Sequence, residues 1–316
     1  MAKQRLEHTV KRIIAALAIG LVSLAPNILS AHRNLESSLD IYSQVNQFGD
    51  VTIKWNPTEF VKKKNIKLAI GYYFDQEDRP GELKPKPVDA SAGSASFKNL
   101  SLNARYLFSV SITQGNRDTF TKRLLVVTPN PNRPITKDSA VNAQLSYVDA
   151  HWRTRENPNY LYIPDFDCAN FVSQTLVARG FRQNYRWNQI KSVPTHAFIS
   201  STALKAYLLT LPGVHEVSSL SPSKVKLGDI AMFDWDRSGD TDHVGIVNYI
   251  QRRPDGSLKI YIAQHTMHRY FRSVSWAVQV NHPNANYSFI SLPTAPTDFS
   301  WPATFDTSGL DRWSVR

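Results

Sequence analysis

Residues 165–174 read Asp165-Phe166-Asp167-Cys168-Ala169-Asn170-Phe171-Val172-Ser173-Gln174, and they hold the single cysteine of the chain. Phe171, Val172, Leu176 and Val177 have the spacing of an apolar helical stripe, and Pro164 followed by Asp165 or Asp167 marks a helix start. Cys168 then falls in the first helical turn. A helix N-terminus carries partial positive charge and free N–H groups, which lower a thiol pKa and offer donors to an oxyanion. A nucleophilic cysteine requires that placement.

A thiol nucleophile also needs a base. Leu227-Gly228-Asp229 turns into the short apolar strand Ile230 to Phe233, and Gly239-Asp240-Thr241-Asp242 turns into a strand opened by His243. A histidine there can sit at a sheet edge and face a groove. The next strand runs from Lys259 and ends at Gln264-His265-Thr266. A third polar group fixes the tautomer of such a base and steadies its imidazolium. His265 is the first candidate for that role, with Asn248, Gln264 and Asp242 as alternatives. His265 and His268, three apart, supply only half of a metal site, so no metal or organic cofactor is expected.

Upstream the pattern is different. Between Leu39 and Val127 apolar residues alternate in short runs: Val51, Ile53 and Trp55; Ile66, Leu68, Ile70 and Tyr72; Phe97 to Leu100; Tyr106, Phe108, Val110 and Ile112; Phe120 with Leu124 to Val127. Short strands divided by turn residues predict an all-β sandwich over 37–128. The run Thr128-Pro129-Asn130-Pro131-Asn132-Arg133-Pro134 reads as a linker, placed at 129–135, because proline interrupts a strand ladder. A helical period follows in Ala140, Ala143, Leu145, Tyr147, Val148 and Trp152, ending near Arg155. The second domain is assigned 136–316, and the fold class is α+β.

The chain has 316 residues with 42% hydrophobic and 20% charged, which excludes a disordered or collagen-like protein. One cysteine excludes an intrachain disulfide. The formal charge is +11, of which residues 1–134 carry +8 (19 bases, 11 acids) and the remainder +3 (18 bases, 15 acids). That bias serves solubility or an anionic partner, and the tract Lys62-Lys63-Lys64 reads as a solvated loop or edge-strand charge, with an anion-binding patch as the alternative. Basic residues Lys3, Arg5, Lys11 and Arg12 precede thirteen apolar-rich residues from Ile13 to Ala25, the pattern of a signal peptide over 1–31 cut near Ala31. An uncleaved anchor is the alternative. Export makes a lone thiol a liability unless chemistry needs it.

The ordered set of motifs resembles the papain-like cell-wall hydrolases, above all the Putative amidase domain family, which is related to the NlpC-type and CHAP peptidoglycan hydrolases. The resemblance is carried by the aromatic-rich helix Tyr147–Trp152, by Asp167–Gln174, by Gly228-Asp229, by Asp242–Val247 and by His265-Thr266. It implies Cys168 as nucleophile, His243 as base, His265 as orienting residue, and Asp167 with Tyr162 or Tyr160 at the substrate. It further implies a secreted or wall-associated monomer that hydrolyses an amide of peptidoglycan, with no nucleic-acid partner and no membrane insertion once the signal is removed. An inactive wall-binding protein and a thiol acyltransferase or deamidase are the rival readings. The first domain resembles fibronectin type III and other immunoglobulin-like domains, through Trp55 and through Leu100 and Tyr106, six apart. In those domains the tyrosine bonds back to the upstream loop.

Overall fold

The computed structural model describes residues 40–58, 66–74, 85–115, 117–153, 157–190 and 193–293. The expected signal peptide and the Lys62-Lys63-Lys64 tract lie outside the described residues. Among the described residues, no helix is long and apolar enough to cross a membrane.

Among the described residues seven strands come first: β1 (Tyr42–Val45), β2 (Val51–Lys54), β3 (Ile66–Phe74), β4 (Lys86–Val88), β5 (Ser94–Phe97), β6 (Arg105–Gln114) and β7 (Arg117–Val127). They form two antiparallel sheets, ordered β1-β2-β5 and β4-β3-β6-β7. The period of two puts Val51, Ile53, Leu68, Ile70, Tyr106, Phe108, Val110 and Ile112 into one shared core, with Trp55 just beyond β2. Tyr106 closes the loop before its own strand, its hydroxyl accepting the Ser101 N–H at 2.9 Å. One expected strand is shifted. Phe97 ends β5, and Lys98 to Leu100 leave the ladder in a bend, because Asn99 takes a left-handed φ of 67°, although Leu100 stays buried.

The rest is a helical layer on a six-stranded antiparallel sheet. Helices α1 (Ser139–His151), α2 (Cys168–Arg179), α3 (His196–Ile199) and α4 (Ser201–Leu208) precede or interleave with β8 (Gln189–Ile190), β9 (Val193–Pro194), β10 (His215–Ser218), β11 (Ile230–Asp234), β12 (His243–Arg252), β13 (Leu258–Gln264), β14 (Arg269–Ser273) and β15 (Asn286–Ser291). The sheet order is β10-β15-β11-β12-β13-β14. Met232, Val244, Ile246 and Ala263 pack with Phe171, Val172 and Leu176 of α2, while Ala231, Phe233 and Ile262 join a second cluster. Helix α1 is capped by Asp138, whose Oδ1 accepts from Ala140 and Val141 at 2.9 and 3.2 Å, and it stops at His151, short of the expected end.

The Gly228-Asp229 turn has a packing role. Gly228 has a left-handed φ of 81°, which strains any other residue, and a Cβ there would stand 2.6 Å from Arg179 Nη1 and from Gln144 Oε1 and displace that pair. Asp229 is fully buried and accepts the N–H groups of Lys226 and Leu292, at 2.8 and 3.2 Å. The turn thereby ties α1 and α2 to the sheet.

The sandwich packs on the β12–β13 turn, on β13 and β14, and on Trp276. Arg253 grips Asp50 through two hydrogen bonds of 2.7 and 2.8 Å, and Lys259 reaches the same carboxylate at 3.3 Å. Leu102 donates its N–H to the Phe271 carbonyl at 3.1 Å and packs with Tyr261 and Phe271, and Trp276 enters the sandwich core. Even the proline-rich stretch stays pinned at its start, with Asn103 N–H on the Pro129 carbonyl at 2.7 Å.

Candidate active site

Cys168 is the first residue of α2, and the strand that begins at His243 runs past it. With the first intrahelical bond made by Phe171 N–H to the Asp167 carbonyl, the N–H groups of the opening turn remain free for the sulfur. Burial pushes the Cys168 thiol up from its ordinary value, while the backbone N–H groups of Val244, Ala169 and Cys168 itself draw it back. The involvement of Val244, the neighbour of His243, binds the two sequence motifs into one place.

His243 pairs across the sheet with Phe233 and lies beside Trp235, with ring centroids 5.9 Å apart. Burial, reinforced by the nearby Arg272 cation and by His282, pushes its pKa down to about 3 against the opposing hydrogen bond with Gln264. The imidazole is therefore neutral at neutral pH. Its Nε2 is buried without a hydrogen-bond partner among the described residues, so a lone pair or N–H is left for chemistry.

Gln264, at the end of β13, is held in one orientation. Arg272 Nη1 donates to its Oε1 at 2.8 Å, and a guanidinium has no acceptor, so the oxygen must face it. Gln264 Nε2 donates to the carbonyls of Thr266 and Met267 at 3.2 and 3.3 Å. The oxygen then offers itself to an imidazole N–H and favours the tautomer whose other nitrogen is an unprotonated acceptor.

Cys168, His243, Gln264 and Arg272 all line a groove of about 610 Å³, whose walls include Trp235, His196 and His282. Trp235 stacks on His282 with centroids 4.1 Å apart. At the rim, Phe166 is 74% and Met267 55% exposed, and both are carried by loops with strained residues, Asp165, Thr266 and Met267 having φ of 65°, 56° and 61°. The far wall is pinned by Ser201 Oγ on the Thr241 carbonyl and by Thr241 N–H on Thr202 Oγ1 at 2.9 Å.

The remaining sequence candidates stand behind this groove rather than in it. Expected to orient the base, His265 has both ring nitrogens engaged elsewhere: Nδ1 faces Asp167 Oδ2 at 2.6 Å and Nε2 faces the His151 carbonyl at 3.0 Å. Its ring stacks on Phe171 with centroids 3.9 Å apart. Asp167, expected at the substrate, is buried, and its Oδ1 takes the Ile163 N–H at 3.0 Å and Asn170 Nδ2 at 2.7 Å. For the same reason it makes no side-chain cap on α2. Tyr162 and Tyr160 line, with Asp167 and His265, a separate cavity of about 10 Å³, too small for a ligand. Arg272, His196 and His282 were not anticipated as groove residues. The available signal was a pair of arginines, Arg269 and Arg272, inside the apolar run that ends at Val274.

For cations, the described residues bring together Asp234, Asp236 and Asp242 in the β11–β12 loop. Oxygens of Asp234 and Asp242 already receive backbone N–H groups from Ser238, Gly239 and Trp235 at 2.7–3.1 Å.

A thiol, an imidazole and an amide thus share one groove of a mixed helix-and-sheet domain. Residues 138–290 match the family model described as Putative amidase domain, which spans all of these groups. The chain is 30% identical over 135 residues to the "Uncharacterized protein YjcM" of Bacillus subtilis (strain 168), a match that covers 40% of this chain and 31% of that protein. The chain thus spans about a third of the length of that curated relative. Among solved structures, the fn3 domain of human contactin 1 is 15% identical, covers 31% of this chain and 80% of its own, and has a TM-score of 0.26. The fn3 domain of the human collagen alpha-1(XX) chain is 12% identical, with coverages of 31% and 88% and a TM-score of 0.26.

Proposed function

We propose that this protein is a secreted or wall-associated cysteine hydrolase of papain-like type that cleaves an amide bond in peptidoglycan. The observation that carries the reading is the convergence of Cys168, at the start of α2, and His243, at the start of β12, on one groove. The cell-wall substrate comes from the resemblance of the ordered motifs, and export from the character of residues 1–31.

The resting pair is a neutral thiol and a neutral imidazole, since burial raises the one and lowers the other. Attack of Cys168 Sγ on the amide carbonyl is accordingly coupled to transfer of the thiol proton to His243 Nε2. Free N–H groups at the start of α2 stabilise the tetrahedral oxyanion. Collapse breaks the C–N bond, with His243 returning the proton to the leaving amine. Water, deprotonated by His243, then releases the acyl group from the thioester and restores the thiol. Gln264 orients His243, and Arg272 orients Gln264. Asp167 and His265 act one step further out, holding α2 against the end of β13.

Purified cell walls incubated with the wild-type protein and with Cys168→Ala, followed by mass spectrometry of the soluble products, test this. New free amines are expected from the wild type alone, either on an L-alanine released from the glycan, which keeps the carboxylate, or within stem peptides. The masses also tell an N-acetylmuramoyl–L-alanine amidase from a stem-peptide endopeptidase. Identical product spectra from both proteins would refute the reading.

A further inference from the structure

Arg272 is out of place by ordinary rules. It is 6% exposed, lies in the floor of the groove, and pairs with no carboxylate among the described residues. Among the described residues its side chain bonds to the neutral Gln264 amide, its buried Nε meets no partner, and Arg269 close by is a like charge. Its pKa is pushed down to about 10 by burial, so it still carries its proton at neutral pH. A buried cation is normally compensated by an anion, because desolvating an unpaired charge costs several kcal/mol. The rings of Trp235 and Trp276, 6.0 and 5.8 Å from the guanidinium carbon, give partial compensation only.

We propose that Arg272 is the anchor of an anion subsite, and that the groove takes amides bearing a carboxylate near the scissile bond. This rests on the reading of the groove as the amide-cleaving site. Guanidinium N–H groups not used by Gln264 match a planar carboxylate. Asp165 and Asp242 also line the groove, so a single negative charge is accommodated better than a dianion such as phosphate. The subsite makes substrate charge and base geometry share one residue. A carboxylate seated on Arg272 screens the cation from His243 and makes the imidazole a stronger base when substrate is bound.

The test is binding to the Cys168→Ala protein, which cannot turn over. N-acetyl-alanyl-alanine is compared with its C-terminal carboxamide and with inorganic phosphate by calorimetry. The free acid is expected to bind on the order of tenfold or more tightly than the carboxamide, the value of a charge-assisted pair, and more tightly than phosphate. Arg272→Met should bring the acid and carboxamide together, and Arg272→Lys should keep part of the difference. A second measurement needs no substitution. The rate of Cys168 alkylation by iodoacetate relative to iodoacetamide should exceed the same ratio for free cysteine. Equal binding of acid and carboxamide, an unchanged difference in a folded Arg272→Met, or an alkylation ratio like that of free cysteine overturns the proposal. Wall cleavage without carboxylate preference leaves the amidase reading standing and removes the subsite. Preference that depends on Arg272 without wall cleavage does the reverse.

Discussion

Asp167 Oδ2 and His265 Nδ1 stand 2.6 Å apart, both buried, and join the residue before the cysteine to the residue after β13. Thr266 Oγ1 adds a second tie by accepting the Asp167 N–H at 2.9 Å. Because Gln264 immediately precedes His265, the same short segment fixes the orienting amide on one side and the start of α2 on the other. The two histidines thus stand differently: His243 lines the groove, while His265 lies behind it and ties the start of the cysteine-bearing helix to the end of β13.

Substitutions at neighbouring positions should therefore split kinetically. Gln264→Ala is expected to lower kcat about 10–100-fold with KM little changed, since it frees the base without touching the nucleophile. His265→Ala should act first on stability, lowering the unfolding midpoint by leaving Asp167 without its partner, with a smaller loss of kcat in the protein that stays folded. Steady-state kinetics beside thermal melts decide this. A collapse of kcat in a fully stable His265→Ala, with Gln264→Ala near normal, would return the orienting role to His265.

The pH dependence of Cys168 reactivity follows from the neutral resting pair. Iodoacetamide should alkylate the folded protein and abolish activity. The rate should climb continuously as pH rises through the alkaline range, because burial raises the thiol pKa and the thiolate grows only there. A thiolate–imidazolium pair would instead give a plateau through mildly acidic pH. Stopped-time alkylation between pH 5 and 10, read by mass, tells the two apart.

Much of this was legible in the chain, and the exceptions share a physical cause. Alternation in Tyr106, Phe108, Val110 and Ile112 reports burial of one strand face, and β6 shows that burial residue by residue. Cys168 at a helix start and His243 at a strand start follow from local turn chemistry, which sequence carries directly. Partner choice does not. Which of Gln264 and His265 faces His243 depends on the register of β13 against β12, where Ile246 pairs with Ala263, because consecutive strand residues point to opposite faces and register is set by tertiary pairing. Arg272 escaped because its groove position arises from the packing of β14 beside β13. The proline-rich stretch at 128–134 suggested a loose connection, yet the contacts that dock the sandwich come from Asp50, Leu102 and Trp276, far from it in sequence.

Acid stability should carry the signature of His243. Its folded pKa is depressed to about 3, below the ordinary histidine value, so the unfolded chain binds the extra proton first. The contribution is fully present above about pH 6.5 and is lost as pH falls toward 3, with a slope approaching about 1.4 kcal/mol per pH unit. Replacing His243 by Gln, which does not titrate, should flatten the decline in unfolding free energy between pH 6.5 and 4. Denaturant melts across that interval measure it, and parallel curves for the two proteins would contradict the buried neutral state.

The docking of the sandwich gives the last expectation. Burial would raise the Asp50 carboxyl, but Arg253 and Lys259 hold it below its ordinary value, so the cluster is ionised and paired at neutral pH. Asp50→Asn keeps the shape and removes the charge, leaving two partly buried cations facing each other. It should lower the unfolding free energy by about 1.5–3 kcal/mol, the worth of hydrogen bonds to a charged group. The deficit should shrink as pH falls below the ordinary carboxylate value and through the lowered folded pKa, where the wild-type carboxyl is protonated and its contribution is lost. Deleting residues 37–129 goes further, since it exposes Tyr261, Phe271 and Trp276 together, and a remainder that is less soluble and melts lower than the whole is expected. A truncated protein as stable and as active as the full chain would show instead that the interface is dispensable, and that the sandwich serves the wall rather than the fold.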